Sequence, residues 1–134
     1  MSTSENVQVM LEIFGAIERR DPQRVFELCQ PDVEFLWPPS LPYGGASPGS
    51  SWRDTWLPLQ TTEATRRMDP RVVAAGPEEV VVLWQQRAIS PNGDDLETPV
   101  LGVYQVRNGK LARAQMFYFD TAAVNDFLER SSRQ

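Results

Sequence analysis

The sequence predicts an α+β domain in which helices cover one face of an antiparallel sheet. Three observations carry this. Apolar residues recur at helical spacing at both ends of the chain, and runs of strand-like alternation lie between them. The last two runs, 96–107 and 110–119, are joined by Asn108-Gly109, a pair that readily takes positive φ at both central positions of a type I′ turn. A helix start follows at once near Asp120.

Taken in order, Ser2-Thr3-Ser4-Glu5 fits a capping box. Val7, Met10, Leu11, Phe14 and Ile17 then mark a first helix to about Arg20. Asp21-Pro22 is a second start, with Asp as N-cap and Pro at the first helical position. Pro31 ends this short helix. Residues 33–37 alternate as a strand, with Val33, Phe35 and Trp37 on one face. The Pro- and Gly-rich residues 38–51 predict a loop. Trp52, Trp56 and Leu59 suggest a covering helix, shortened or kinked by Pro58. Residues 71–75 and 79–90 read as strands around Gly76-Pro77, and 91–95 turn the chain into the final hairpin. Val124, Phe127 and Leu128 mark the last helix.

Composition narrows the function. The 134 residues carry a net charge of −5, 41% apolar residues and 23% charged residues. This suits one globular domain and argues against phosphate-rich partners, so no nucleic acid is expected. No apolar run is long enough for a membrane span, and the N-terminus lacks signal-peptide character. The lone Cys29 cannot form an internal disulfide, which fits a cytoplasmic setting. There is no histidine, which removes the usual general base near neutral pH and the commonest metal ligand. No metal and no cofactor are expected. The single lysine, Lys110, lies beside the turn, a poor place for Schiff-base chemistry.

Residues 99–120, PVLGVYQVRNGKLARAQMFYFD, together with Leu41-Pro42-Tyr43-Gly44-Gly45, resemble the NTF2-like superfamily. The similarity is to its SnoaL-like and limonene-epoxide-hydrolase-like branches and covers most of the chain. It implies a single domain over 1–134: a cone-shaped, bent antiparallel sheet on three to four helices, wrapped around one deep pocket. Relatives usually pair through the outer sheet face, so a homodimer is expected. The resemblance also permits a check of known active sites. With the relatives' Leu-Gly-Val-Phe-Gln strand laid on 101–105, the epoxide hydrolases' Arg and first Asp fall on Leu83 and Gln85. Their second Asp falls on Met116, and their Tyr and Asn on Phe35 and Trp37. The SnoaL cyclases' acid/base Asp also falls on Met116. The ketosteroid isomerases' base, oxyanion Tyr and neutral Asp fall on Trp37, Phe14 and Gly102. None of these functional residues is retained.

Asp120 is then either the N-cap of the last helix or a catalytic acid at the pocket floor. Tyr118 is either a hydrogen-bond donor to a ligand or a core residue. Gln85 and Arg87 share a face. Arg87 needs a carboxylate if it points inward, with Glu97 the candidate, and is a rim residue otherwise. Gln86 faces the other way unless a bulge intervenes. Trp84 is read as packing, and Trp37, Trp52 and Trp56 as walls of an aromatic pocket. The loop 41–45 is a lid in which Tyr43 touches ligand, or a static turn. The expected pocket is lined by Phe14, Phe35, Trp37, Trp56, Gln85, Val100, Met116 and Tyr118. A bulge after Gly109 exchanges Met116 and Tyr118 for Gln115, Phe117 and Phe119. The expected dimer face carries Val80, Val82, Trp84, Leu101 and Val103.

Two functions remain open. One is a SnoaL-like enzyme that cyclises or isomerises a hydrophobic polyketide- or terpenoid-like molecule, with Asp120, Tyr118 or Glu97 moving protons. The other is a non-catalytic module that holds an apolar ligand or a partner subunit. Inward carboxylates discriminate between them: if Asp120 and Glu97 both face solvent, the enzyme reading loses these proton handlers.

Overall fold

Ser2 Oγ accepts from Glu5 N at 3.2 Å and so caps α1 (Thr3–Glu18). Asp21 Oδ1 does the same for α2 (Pro22–Glu27), accepting from Arg24 N at 3.2 Å with Pro22 in the first turn. A computed structural model describes residues 2–42, 44–47, 67–89 and 93–132 of the chain. Its strands are β1 (Cys29–Trp37), β2 (Gly45–Ser47), β3 (Arg71–Ala75), β4 (Glu79–Ile89), β5 (Asp95–Arg107) and β6 (Lys110–Tyr118). They form one sheet in the order β2-β1-β6-β5-β4-β3, and α3 (Thr121–Ser132) follows. The proposed helix around Trp52 and Trp56 lies outside the described residues.

Four strand pairs are antiparallel and one is not: β1 runs parallel to β6, with Phe35 opposite Ala114. The expected strand at 33–37 begins earlier, at Cys29, and the expected loop contains the short β2. The turn is as the sequence requires, with φ of 54° at Asn108 and 76° at Gly109. Irregular registers interrupt β1 against β6, β3 against β4, and β5 against β6. Such bulges bend strands and add twist, which curls the sheet around the helices.

The third irregularity fixes the inner wall. Gln105 pairs with Arg113 and Val106 with Leu111, which leaves Ala112 as an extra residue. A bulge is therefore present, but it directs Met116 and Tyr118 inward. Phe117 and Phe119 stay outside, at 51% and 83% exposure. The inward rows are then Val80–Tyr104–Ala114, Val82–Gly102–Met116 and Trp84–Val100–Tyr118. This corrects the outward set proposed from sequence. Val80, Val82 and Trp84 are buried at 0%, 0% and 7% exposure, and only Leu101 and Val103 of that set face outward. The charges give the reason: Glu79 and Arg87 share a parity with Gln85, and an unpaired charge is costly on an inner face.

One apolar cluster joins α1, α3 and the concave face, including Met10, Phe14, Val33, Val100 and Phe127. Gly102 leaves a gap in the middle inner row, and the Tyr104 ring lies in it. A Cβ on residue 102 would collide with the Tyr104 ring and hydroxyl. Gly102→Ala is therefore expected to cost about 1–3 kcal/mol by forcing Tyr104 out of place. Urea denaturation of the variant checks this, and an unchanged midpoint would show that Tyr104 has an alternative seat.

Candidate functional site

Inside the curl is a cavity of about 140 Å³. A dry apolar cavity of about 150 Å³ holds one benzene, so the space suits a single ring. α1 contributes Met10, Ile13, Phe14 and Ile17, and α2 contributes Val25. β1 adds Phe35 and Trp37, stacked at 5.3 Å and 15°. β4 adds Trp84, Gln86 and Ala88, β5 adds Leu96 and Tyr104, and β6 adds Leu111, Met116 and Tyr118. Met68, from the segment before β3, and Val124, Phe127 and Leu128 of α3 complete the described wall. Met10, Met68 and Met116 are unbranched and adaptable, so this wall can repack around a larger guest.

Polar groups on this wall are few. Trp84 Nε1 donates to Tyr104 Oη at 2.9 Å, and this bond is buried. Tyr118 Oη donates over a long 3.5 Å to Gln86 Oε1. Phe14 meets Tyr104 edge-on at 5.9 Å and 89°, and Trp84 meets Tyr118 at 6.4 Å and 79°. These contacts lock the rings against one another. Burial pushes the Tyr104 phenol far above its ordinary pKa, only partly opposed by the bond from Trp84. It therefore stays protonated at neutral pH. No carboxylate and no arginine or lysine is among the described residues of the wall.

The residues proposed from sequence divide accordingly. Phe14, Phe35, Trp37, Met116 and Tyr118 line the cavity. Val100 is on the inner face but is wholly buried in the core beside it. Tyr43 and Trp56 lie outside the described residues. Gln85 and Arg87 are on the outer face of β4, a correction that follows from the register above. The cavity positions of this strand are instead Trp84 and Gln86, neither of them a carboxylate or an arginine.

Asp120 is exposed and caps α3, accepting from Ala123 N at 3.0 Å. Glu97 is exposed too and pairs with Arg87 at 3.4 Å. Neither reaches the cavity, which removes both as proton handlers there. The described residues beside Tyr43 are anchored. Leu41 is buried, Gly44 N donates to Leu41 O at 2.9 Å, and Asn125 Nδ2 donates to Ser40 O at 2.9 Å.

Sequence reasoning missed Tyr104, turned Gln86 away from the pocket unless a bulge intervened, and assigned Trp84 to packing and to the dimer face. A signal was present. A glycine two residues before an aromatic, in an otherwise apolar strand, marks a place where a ring can lie flat on the strand.

At the rim, Arg87 donates to Arg67 O at 2.8 Å and to Asp69 at 2.6 Å. Gln85 N donates to Met68 O at 2.7 Å. The outer face of β4 thus grips the segment that places Met68 in the cavity. Among the described residues, no group of three or more His, Cys, Asp or Glu could hold a metal, and no helix is long and apolar enough to cross a membrane.

The curled sheet and the helices thus enclose an apolar, aromatic-walled cavity within a small α+β fold. The chain belongs to the SnoaL-like domain family, whose model matches residues 10–114, and so to the NTF2-like superfamily. Among solved structures it is similar to TerC co-crystallised with polyporic acid, at 22% identity and TM-score 0.79, covering 93% of this chain and 98% of that one. An NTF2-like protein of unknown function from Burkholderia pseudomallei is 28% identical, with TM-score 0.75 and 92% and 95% of the two chains covered. A candidate SnoaL-like polyketide cyclase from Jannaschia sp. CCS1 is 15% identical, with TM-score 0.69 and coverage of 91% and 90%. No curated protein matches the chain.

The ion pairs set a pH dependence. Asp69 is held below its ordinary pKa, chiefly by the hydrogen bond from Arg87. Glu12 is held down by Arg19 and then Arg24. A carboxyl depressed in the folded state adds stability above its unfolded pKa, and the gain is lost as pH falls through the folded value. With no histidine in the chain, the melting temperature is expected to stay level from about pH 5.5 to 8 and fall below about pH 4.5. Asp69→Asn is expected to flatten part of the acid fall. An unaltered acid limb in that variant would assign the loss to other groups.

Proposed function

We propose that the protein is a SnoaL-like small-molecule enzyme that takes a hydrophobic polyketide- or terpenoid-like substrate into the cavity and guides its cyclisation or isomerisation. The observation that carries this is the wall itself: aromatic and aliphatic on nearly every side, with Gln86, Tyr104 and Tyr118 as its hydrogen-bonding side chains besides Trp84. Binding would be driven by apolar burial, at roughly 25 cal/mol per Å² less the cost of ordering. Without an inward carboxylate on the described wall, the protein's contribution is shape, exclusion of water and hydrogen bonds from phenols. Holding a reactive chain in a near-attack geometry is enough to accelerate a unimolecular closure. The relative co-crystallised with polyporic acid and the candidate polyketide cyclase support the substrate class. A cytoplasmic setting belongs to the same proposal and is supported by the cysteine count: Cys29 is the one cysteine of the sequence, and it is buried.

A homodimer is the second part of the proposal. The outer face carries a cross-strand row of Leu83, Leu101 and Phe117, flanked by Val81 and Val103. Leu101 and Phe117 are exposed at 37% and 51%, and apolar side chains gathered in this way are a typical pairing surface.

The test of function is direct. Benzene, naphthalene and a panel of aromatic polyketide and terpenoid intermediates are titrated against the protein, with tryptophan fluorescence as readout and products followed by mass spectrometry. Expected are saturable binding of apolar aromatics and at least one substrate converted to an isomer of unchanged mass. Saturable binding with no conversion across the panel would favour the non-catalytic module, a reading that the carboxylate-free described wall already supports. No binding at all would remove both. For the dimer, Phe117→Glu is expected to halve the mass seen in sedimentation at micromolar concentration while the cavity still binds. A wild-type monomer under the same conditions would overturn it.

A further inference from the structure

We infer that Tyr104 Oη is a fixed hydrogen-bond donor to the guest, and that the guest is a neutral aromatic compound bearing a carbonyl oxygen. The inference rests on the small-molecule reading above and deepens it. An indole N–H can only donate, so at the 2.9 Å contact Trp84 gives and Tyr104 receives. The phenol's own proton must go elsewhere, and among the described residues no acceptor meets it. Tyr104 is 5% exposed and lines the cavity. A buried hydroxyl proton without an acceptor is costly, and an oxygen arriving with the guest satisfies it.

The phenol is also held in place. Its ring rests where Gly102 has no side chain, Phe14 abuts it edge-on, and Trp84 ties down its oxygen. A donor ordered before binding loses little freedom on binding. The chain from indole N–H to phenol O–H to a guest oxygen is cooperative, since accepting one bond strengthens the donation of the next.

The chemistry of the wall selects the guest. Among the described lining residues none is cationic, so a carboxylate would be buried without a counter-charge. Tyr104 offers a proton, so the guest must offer a lone pair, as a ketone or quinone oxygen does. The flanking rings of Phe14, Trp84 and Tyr118 suit a flat partner.

Acetophenone and cumene are near-isosteres that differ in the carbonyl, and they serve as probes. Calorimetry gives their affinities for wild type, Tyr104→Phe and Tyr118→Phe, and infrared spectroscopy gives the carbonyl stretch of bound acetophenone. The stretch in wild type is expected at lower wavenumber than in dry hexane. The shift is expected to vanish in Tyr104→Phe and survive in Tyr118→Phe. The preference for acetophenone over cumene is expected to fall about 2- to 10-fold in Tyr104→Phe. No shift in wild type, or a shift retained in Tyr104→Phe, overturns the inference while cumene binding leaves the small-molecule reading standing. If neither probe binds, both fall. Should Tyr104→Phe not fold, Tyr118→Phe decides: a retained shift supports Tyr104, and a lost shift overturns it.

Discussion

Everything inside the curled sheet depends on the register of β4, β5 and β6. Side chains alternate across a strand with a period of two, so a slip of one residue exchanges the whole inner set for the outer one. Two local devices hold the register here. The Asn108-Gly109 turn sets where β5 ends and β6 begins, and the extra residue at Ala112 re-phases β6 part-way along. Beyond that bulge, Met116 and Tyr118 look into the cavity and Phe117 to the outside. A regular ladder that paired Ala112 in turn would instead face the helices with Arg113, Gln115 and Phe117.

Within that register, a missing side chain is as informative as any present. Gly102 stands in the centre of the inner wall between Val82 and Met116. The gap is filled from the same strand by a tyrosine two residues on, whose hydroxyl reaches the indole of Trp84. A polar atom is thereby carried deep into an apolar interior on a rigid aromatic arm, at the expense of one Cβ. The usual way of placing a polar group in such a wall, a charged side chain at an inward position, is not used by any described residue of the lining.

Much of this was readable in the sequence, and the reasons differ by element. The caps at Ser2, Asp21 and Asp120 and the type I′ turn were legible because they are decided locally, by a side-chain oxygen or by a permitted φ. The inward places of Phe35, Trp37 and Phe14 followed from simple periodicity. Parity in β4 went astray because the likeness to relatives placed Leu83 and Gln85 at catalytic positions, although Glu79 and Arg87 on the same face argued for solvent. The parallel partnership of β1 and β6 was not legible, since nothing local to 29–37 names a partner near the other end of the chain. Tyr104 was overlooked because propensity cannot say that a ring will lie along its own strand.

The parallel pairing has a consequence for how the chain is made. β1 is made well before its neighbour β6, the last of the described strands; Glu34 and Arg113, which bond at 3.1 Å, are 79 residues apart. Until β6 emerges, β1 has, among the described strands, only the three-residue β2 to pair with, and Phe35 and Trp37 lack the β6 side of the cavity they line. Closing a loop of that length carries an entropic cost that the local hairpins β4–β5 and β5–β6 avoid, so this pairing is the slow one to form. β1 is thus left with one edge unpaired until β6 is made. The cavity can exist only once that pairing has closed, because Phe35 and Trp37 of β1 and Met116 and Tyr118 of β6 share its wall.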